Sequence, residues 1–345
     1  MQKKNKITMS DIAREAGVSQ ATVSLVLNNS RSIRLSEATR ERVFQAARLL
    51  GYQKLTVAHR QEGQEEIALL VSGMPGYDPF VDALSEASST AWQHDMLLTV
   101  YDYGDDVELA RHILQQLAQR HCAGVIFASP VTRVFDFSPF RHAVQMPVVL
   151  LNQYDPTRPL LPTFLPDDKA NACQVTQHLL DQGVTRIAHI MGDEWMDASR
   201  LRLEGYQQTL GAAGIPLEEQ LVRQTDWSLN ATYHATQALM QLPQPPEAIF
   251  CASDWMTLGC YQALAAMGVK IPDDILVCGY DDQRISHQLT PQLTSVQLAY
   301  NELGKMAVEY LCQGDDNATH CRLVGKLQVR GSSLRTGKGP GRKES

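Results

Sequence analysis

The chain has 345 residues, 44% hydrophobic and 20% charged, which is the composition of a folded protein of about two structural units rather than of a disordered, collagen-like or coiled-coil chain. Neither a secretion signal nor about 20 consecutive apolar residues occur, so we expect a cytoplasmic protein with no membrane partner. The net charge of −7 is unevenly distributed. Residues 1–62 are basic, with eleven Lys and Arg against five Asp and Glu, whereas the rest of the chain is acidic, with twenty Lys and Arg against thirty-three Asp and Glu.

The basic segment contains the pattern of a helix-turn-helix. Thr8 is placed to cap a first helix that ends at Gly17, and Ser19 is placed to cap a second helix with the sequence QATVSLVL. A third helix is predicted from Ser36 to about Leu50. Two helices joined by a short glycine turn form the unit whose second helix enters the DNA major groove. A basic terminus can also be merely solvated, and it is the helix pattern that favours DNA binding.

The rest of the chain alternates between short apolar runs and helix-length amphipathic segments. The runs IALLVS, MLLTVYD, AGVIFAS and PVVLLN form a first set, and RIAHIM, AIFCAS and ILVCGYDD form a second set after the proline-rich crossing DPTRPLLPTFLPDD. Such alternation predicts βαβ units on parallel sheets, here in two α/β halves with a cleft between them. Ligands of these sheets bind beyond the carboxyl ends of the strands.

The segments ITMSDIAREAGVSQATVSLVLN and ATRERVFQAARLLGY closely resemble the headpiece of the LacI/GalR (lactose-repressor) family of bacterial transcription regulators. Further segments resemble family motifs in order and spacing, so that the resemblance covers about residues 7–330: YDPF, SRLRLEGY, TDWS, CASDWMTLGCYQAL, VKIPDDILVCGYDD and TPQLTSVQ. The resemblance implies a small all-α helix-turn-helix headpiece plus an α/β body with a two-lobed, periplasmic-binding-protein-like (type I) fold and parallel sheets. It also implies a homodimer with two kinds of partner, double-stranded operator DNA and a small-molecule effector, a sugar or sugar derivative.

The expected domains are a DNA-binding headpiece at 1–52, a hinge linker at 53–65, an effector-binding and dimerisation body at 66–335 and a basic flexible tail at 336–345. In the family, the hinge folds on specific DNA and inserts a leucine into the minor groove. The segment YQKLTVAHRQEGQEE departs from that pattern, so minor-groove insertion stays open here.

The resemblance also implies which headpiece residues contact DNA. Gln20, Ala21 and Leu25 occupy base-reading positions. The full expected set is Thr8, Ser19, Gln20, Ala21, Thr22, Ser24, Leu25, Asn28, Arg34 and Lys54. Leu25 cannot hydrogen-bond a base edge, so it either contacts a thymine methyl or packs on the apolar cluster of the headpiece.

In the body, the resemblance implies an effector site in the cleft. Its expected residues are Asp78, Phe80, Asn152, Arg202, Trp227, Ser253 and Asp281. The planar guanidinium of Arg202 suits bidentate hydrogen bonds to hydroxyls or a carboxylate, and Asp281 would accept from hydroxyls. Three alternatives stay open: a surface salt bridge for Arg202, a helix cap for Asp281 and a core position for Trp227.

The sequence therefore predicts a ligand-responsive, sequence-specific transcriptional regulator, a repressor of carbohydrate-utilisation genes that binds a palindromic operator as a dimer. The alternative is a cytoplasmic small-molecule-binding protein with weak, non-specific DNA binding. An enzyme is not predicted, because we find no metalloprotease, serine-hydrolase or phosphate-loop motif. No cofactor or metal ion is expected, since the seven cysteines and ten histidines lack metal-ligand spacing.

Overall fold

The computed structural model describes residues 9–27, 36, 39, 42–43, 46, 65–74, 80–120, 122–313 and 320–335. The chain divides into two compact units, residues 1–63 and residues 64–345. The tail at 336–345 and all but the last residue of the expected hinge lie outside the described residues. The same holds for five of the predicted site residues: Thr8, Asn28, Arg34, Lys54 and Asp78.

In the first unit, two helices follow the predicted pattern. Helix α1 is Met9–Ala16 and α2 is Gln20–Leu27, and Gly17 between them has a φ of 64°, which glycine adopts without strain. Ser19 caps α2, since its Oγ accepts a hydrogen bond from the Thr22 amide at 3.1 Å. The third predicted helix falls largely outside the described residues. An apolar cluster is buried in this unit: Ile12, Ala13, Ala16, Val23, Val26, Val43 and Ala46.

The second unit, the body, is built from strands and helices in alternation. Its strands are β1 Glu66–Val71, β2 Leu97–Asp102, β3 Cys122–Val134, β4 Val148–Tyr154, β5 Thr163–Pro166, β6 Ile187–Met191, β7 Val222–Gln224, β8 Ala248–Cys251, β9 Leu276–Cys278, β10 Ser295–Gln297, β11 His320–Leu323 and β12 Lys326–Gln328. Its helices are α3 Val81–Gln93, α4 Val107–Ala118, α5 Asp168–Asp181, α6 Asp197–Ala212, α7 Leu229–Met240, α8 Asp254–Ala266 and α9 Tyr300–Gln313.

The strands form one parallel sheet in each of two lobes. The first sheet has the order β11-β5-β4-β3-β1-β2, and the second has the order β7-β6-β8-β9. Every neighbouring pair in both sheets is parallel. Helices pack in pairs, α3 with α9, α5 with α6 and α7 with α8. The predicted two-lobed α/β body with parallel sheets is confirmed.

The chain first crosses between the lobes at the predicted proline-rich segment, and it crosses again at places that the apolar pattern did not reveal. The proline-rich crossing contains β5, and α5 of the second lobe begins two residues after that strand ends. Helix α9 and strand β11 then return to the first lobe, and β10 pairs antiparallel with β12. One hydrophobic cluster contains Leu69 and Leu151 of the first sheet together with Phe250 and Leu276 of the second. The two lobes therefore share a continuous apolar core.

The predicted elements differ from the observed ones in a few places. Strand β3 continues to Val134 after an irregularity in its pairing with β4, well beyond the predicted run. The apolar pattern predicted no element at β5, β7, α7, α9, β10, β11 or β12. Among the helices of the described residues, none combines the length and apolar character that crossing a membrane requires.

Candidate functional site

Predicted effector residues of the second lobe lie just beyond the carboxyl ends of its strands. Trp227 is three residues after β7, Ser253 is two after β8 and Asp281 is three after β9. Arg202 lies on α6, the helix that follows β6. Because β7, β6, β8 and β9 are neighbours in one parallel sheet, these positions share one edge, as expected for a ligand site of this fold.

Arg202 is a buried, charged group at this edge, with 6% of its surface exposed. Its Nε donates to Asp168 Oδ1 at 2.9 Å, and its Nη1 donates to the Ala252 carbonyl and lies 3.6 Å from Asp281 Oδ1. The guanidinium carbon is 3.7 Å from the centre of the Tyr280 ring. Burial by itself would lower the pKa of Arg202, but Asp168, Tyr280 and Asp281 raise it above its ordinary value. Arg202 is therefore not part of a surface salt bridge.

The carboxylate of Asp168 joins the two lobes. Its Oδ1 accepts hydrogen bonds from Arg202 and from the Tyr280 hydroxyl at 2.9 Å, and both donors belong to the second lobe. Its Oδ2 accepts from the Thr132 hydroxyl at 2.9 Å, on β3 of the first lobe. Asp168 is fully buried at the first turn of α5, where the helix dipole favours an anion.

Asn152 continues this network into the first lobe. Its Oδ1 accepts from the Thr132 hydroxyl at 2.8 Å. Its Nδ2 donates to the Ser129 carbonyl at 2.9 Å and to the Tyr300 hydroxyl at 3.1 Å. The Tyr300 ring meets the Phe80 ring edge-on, with centres 5.6 Å apart. Two predicted effector residues, Asn152 and Phe80, are thus connected through Tyr300, and both amide protons of Asn152 are bound within the protein.

Trp227 lies against Gly192, the residue directly after β6. A Cβ at position 192 would overlap the indole ring, so this packing requires glycine. The Arg202 guanidinium is 5.8 Å from the indole centre. The indole Nε1 is buried without a hydrogen-bond partner among the described residues. Since an unpaired buried donor costs about 1–3 kcal/mol, it points to water or a ligand group at this position.

Three of the six described non-glycine residues with a positive φ are predicted effector residues. The φ angles of Asn152, Trp227 and Asp281 are 56°, 64° and 103°. Residues other than glycine seldom adopt such angles, and strain of this kind gathers at ligand sites. The short 3-10 helix that follows Asp281 begins at Arg284 with Gln283 as its N-cap residue, so Asp281 is not a helix cap.

Several residues of the network were not predicted from the sequence. They are Thr132, Asp168, Tyr280 and Tyr300, and the buried His189, whose Nδ1 donates to the Phe250 carbonyl, was not predicted either. His189 stacks on Tyr206 at 5.3 Å between ring centres, and burial lowers its pKa to about 4, so it is neutral at pH 7. The sequence offered only weak signals for this group: Asp168 has the position of an ordinary first-turn acid, and Tyr280 precedes the predicted Asp281.

Ser253 and Asp254 fix the start of α8. The Ser253 Oγ accepts from the Met256 amide at 3.2 Å and so caps the helix. The Asp254 carboxyl accepts from the Ser295 hydroxyl and from the Gln283 amide, each at 2.7 Å. Burial raises the pKa of Asp254 to about 7, although these two hydrogen bonds act to lower it.

We expect the free energy of unfolding of Asp254→Asn, relative to that of the wild type, to increase as the pH rises. The folded state holds the Asp254 proton more tightly than the unfolded chain, whose pKa is near 3.8, so this contribution to stability is present at low pH and is lost as the pH rises toward 7. Between pH 5 and 7, the difference between the free energies of unfolding of the variant and the wild type should shift in favour of the variant by about 1.4 kcal/mol per pH unit. Urea unfolding at several pH values measures this, and a constant difference contradicts it.

The headpiece presents its own candidate surface at the start of α2. Gln20 is the first residue of α2 and is exposed. Ser19 and Thr22 are joined by their hydroxyls at 2.8 Å as part of the helix cap. Ala21, Ser24 and Leu25 belong to α2, but their side chains lie outside what the structure describes, so both interpretations of Leu25 stay predictions.

Comparison with known proteins identifies the family. Residues 8–54 match the model of bacterial regulatory proteins of the lacI family, and residues 176–333 match that of a periplasmic binding protein-like domain. The HTH-type transcriptional repressor CytR of Escherichia coli K12 is 32% identical over 332 residues, covering 94% of this chain and 96% of CytR. The chain belongs to the lacI family.

Other repressors and transcriptional regulators match over nearly the same length. The ribose operon repressor of Escherichia coli K12 is 32% identical over 316 residues, covering 88% of this chain and 92% of that protein. A lac repressor dimer bound to operator and the anti-inducer ONPF has a TM-score of 0.76 at 25% identity, covering 96% and 100% of the two chains. The complex of the transcriptional regulator CelR with cellobiose has a TM-score of 0.67 at 27% identity, covering 94% and 99%. The resemblance found in the motifs is confirmed.

Proposed function

We propose that this lacI-family protein is a transcriptional repressor that binds operator DNA through α2. Binding of a small molecule to the body either lowers or raises its affinity for the operator. The observation that carries the proposal is the joining of a helix-turn-helix unit to a two-lobed body whose lobes are linked by the hydrogen bond between Asp168 and Thr132, beside Arg202. The relatives are named as repressors, which supports a binding protein rather than an enzyme. A ribose operon repressor and a cellobiose complex among them support a sugar or sugar derivative as effector and carbohydrate-utilisation genes as targets.

The proposed effector site is the strand edge around Arg202. The Arg202 Nη2 takes part in none of the hydrogen bonds described above, and the indole N–H of Trp227 is an unused donor. A ligand bound here contacts the hydrogen-bond network that links the two lobes through Asp168. Movement of the lobes then changes operator affinity, and a coupling of about 1–3 kcal/mol gives 5–150-fold control. The same coupling requires operator binding to change effector affinity by an equal factor.

As a homodimer, the protein would present two copies of α2 to inverted half-sites about one DNA turn apart. The proposed division into headpiece, hinge, body and tail keeps the boundaries 1–52, 53–65, 66–335 and 336–345. The predicted site residues outside the described ranges, Asp78 included, keep their proposed roles.

Selection of operator DNA from genomic fragments tests the proposal. Purified full-length protein is mixed at moderate salt with fragmented DNA of the bacterium that encodes it, and the bound DNA is sequenced. Enrichment of a few inverted repeats supports a specific repressor, and the adjacent genes identify the class of effector. Uniform recovery that disappears as the salt concentration rises indicates charge-driven binding, which is the alternative of a small-molecule-binding protein with weak DNA affinity.

Gln20→Ala should relax the operator preference at one base pair. A bidentate contact from a glutamine to a base edge contributes about 1–3 kcal/mol of discrimination, and alanine removes it. Binding of the enriched operator and of its single-base variants measures the change. Gln116→Ala, an exposed glutamine on α4 of the body, is the control and should leave all affinities unchanged. An unaltered preference in the Gln20 variant would exclude this residue from base reading.

A further inference from the structure

The charge of Arg202 is balanced by the protein itself. Asp168 is fully buried and bonded to the Arg202 Nε at 2.9 Å. The Asp281 carboxylate lies 3.6 Å from Nη1, with 9% of its side chain exposed. His189, whose pKa is lowered to about 4 chiefly by burial, adds no charge at pH 7. Among the described residues, one guanidinium therefore faces two carboxylates.

Further carboxylates follow the strands at the same edge of the sheet. Asp193 and Glu194 follow β6, and Asp226 follows β7, at the edge that carries Arg202. Asp282 follows β9, and its carboxylate is paired with Arg330 at 2.7 Å. A ligand with a negative charge would approach these groups with no unbalanced cation at Arg202 to receive it.

We propose that Asp168 determines the ligand class of this site: because it neutralises Arg202, the site selects an uncharged polar ligand and rejects phosphorylated or carboxylated compounds. The inference rests on the proposed effector site. Ligand hydroxyls can accept from Arg202 Nη2 and from the Trp227 indole, and can donate to Asp281. A phosphate or carboxylate group is negatively charged and would lie close to the carboxylates of Asp168 and Asp281, which weakens its binding by about tenfold or more in a site shielded from water.

The network tolerates an amide at position 168. The Thr132 hydroxyl has a single proton but lies 2.8 Å from Asn152 Oδ1 and 2.9 Å from Asp168 Oδ2. In Asp168→Asn, the new amide can donate to the Thr132 oxygen while that hydroxyl donates to Asn152. The amide oxygen can still accept from Arg202 and Tyr280. The substitution thus removes the charge while every hydrogen bond keeps a donor and an acceptor.

The neighbouring Asp167 provides a matched control. It is the N-cap of α5, where its Oδ1 accepts from the Ala170 amide at 3.0 Å. Asparagine caps helices about as well as aspartate does. Asp167→Asn therefore removes an identical charge one residue away without altering the hydrogen bonds of Arg202.

The test has two arms. In the first, the full-length protein is incubated with a small-molecule extract of the bacterium that encodes it, and compounds retained through gel filtration are identified by mass spectrometry. In the second, calorimetry measures the affinity of wild type, Asp168→Asn and Asp167→Asn for inorganic phosphate. We expect the retained compound to be uncharged and polar. We expect Asp168→Asn to bind phosphate about tenfold or more tightly than wild type, with Asp167→Asn within about twofold of wild type.

Three outcomes would overturn the inference. They are retention of a phosphorylated or carboxylated compound, an extract that yields no uncharged polar compound, and equal phosphate affinities for the two asparagine variants. A merely structural role for Asp168 would weaken binding of every ligand and would not favour an anion. The selection of operator DNA does not depend on the charge of the ligand, so the proposed function and this inference can fail separately.

Discussion

Arg202→Met should lower the free energy of unfolding by about 3–5 kcal/mol and abolish the response to effector, because it leaves the fully buried Asp168 carboxylate without its cation. Methionine retains much of the aliphatic volume of arginine, so the loss reports the ion pair rather than a cavity. The hydroxyls of Tyr280 and Thr132 and the dipole of α5 would remain to stabilise the carboxylate, none of which carries a full positive charge. Urea unfolding measures the stability, and titration of the operator complex with effector measures the response.

A second ion pair between the same two helices provides the control. Lys169 of α5 and Glu204 of α6 lie 3.6 Å apart, with 43% and 50% of their side chains exposed. Exposed pairs contribute about 0–1 kcal/mol, so Lys169→Ala should change the stability little. Operator affinity without effector should stay within a few fold in both variants. If Arg202→Met costs no more than Lys169→Ala, the buried pair does not form in solution.

Gly205→Ala should destabilise the protein by about 1–3 kcal/mol or more through overpacking. Helix α6 approaches α5 so closely at Gly205 that a Cβ would overlap the backbone carbonyl oxygen of Lys169. A backbone oxygen cannot rotate away as a side chain can, so the two helices must separate. Since α5 carries Asp168 and α6 carries Arg202, effector affinity should fall together with stability. Chemical denaturation and calorimetry measure the two effects.

The same helix offers a substitution of opposite sign. Gly211 also lies in α6, but a Cβ there would meet no atom within 4 Å. Alanine should therefore stabilise the helix by about 0.5–1 kcal/mol, because it restricts the unfolded chain without a clash. Changes of the same sign at both positions would contradict the close approach of α5 and α6 at Gly205.

The headpiece and the fold class were predictable because they depend on local signals. The Ser19 cap and the left-handed Gly17 set the bounds of α1 and α2 through contacts within a few residues. The alternation of apolar runs likewise predicted parallel sheets, and family motifs placed Arg202, Trp227 and Asp281 at one edge of the second sheet. Each of these inferences needs only neighbours in sequence or a known spacing.

The sequence by itself thus determined the family, the fold class and the arginine around which the candidate site is built. The tertiary structure alone decided what surrounds that arginine. Asp168 is hydrogen-bonded to Arg202, which is 34 positions away in the sequence, and to Thr132, which is 36 positions away. It also decided that β11 pairs with β5, a strand within the proline-rich segment that the sequence predicts only as a crossing. The physical reason is the same in each case, since a buried hydrogen bond or a strand pairing depends on which distant segment packing brings alongside, and no local pattern encodes that choice.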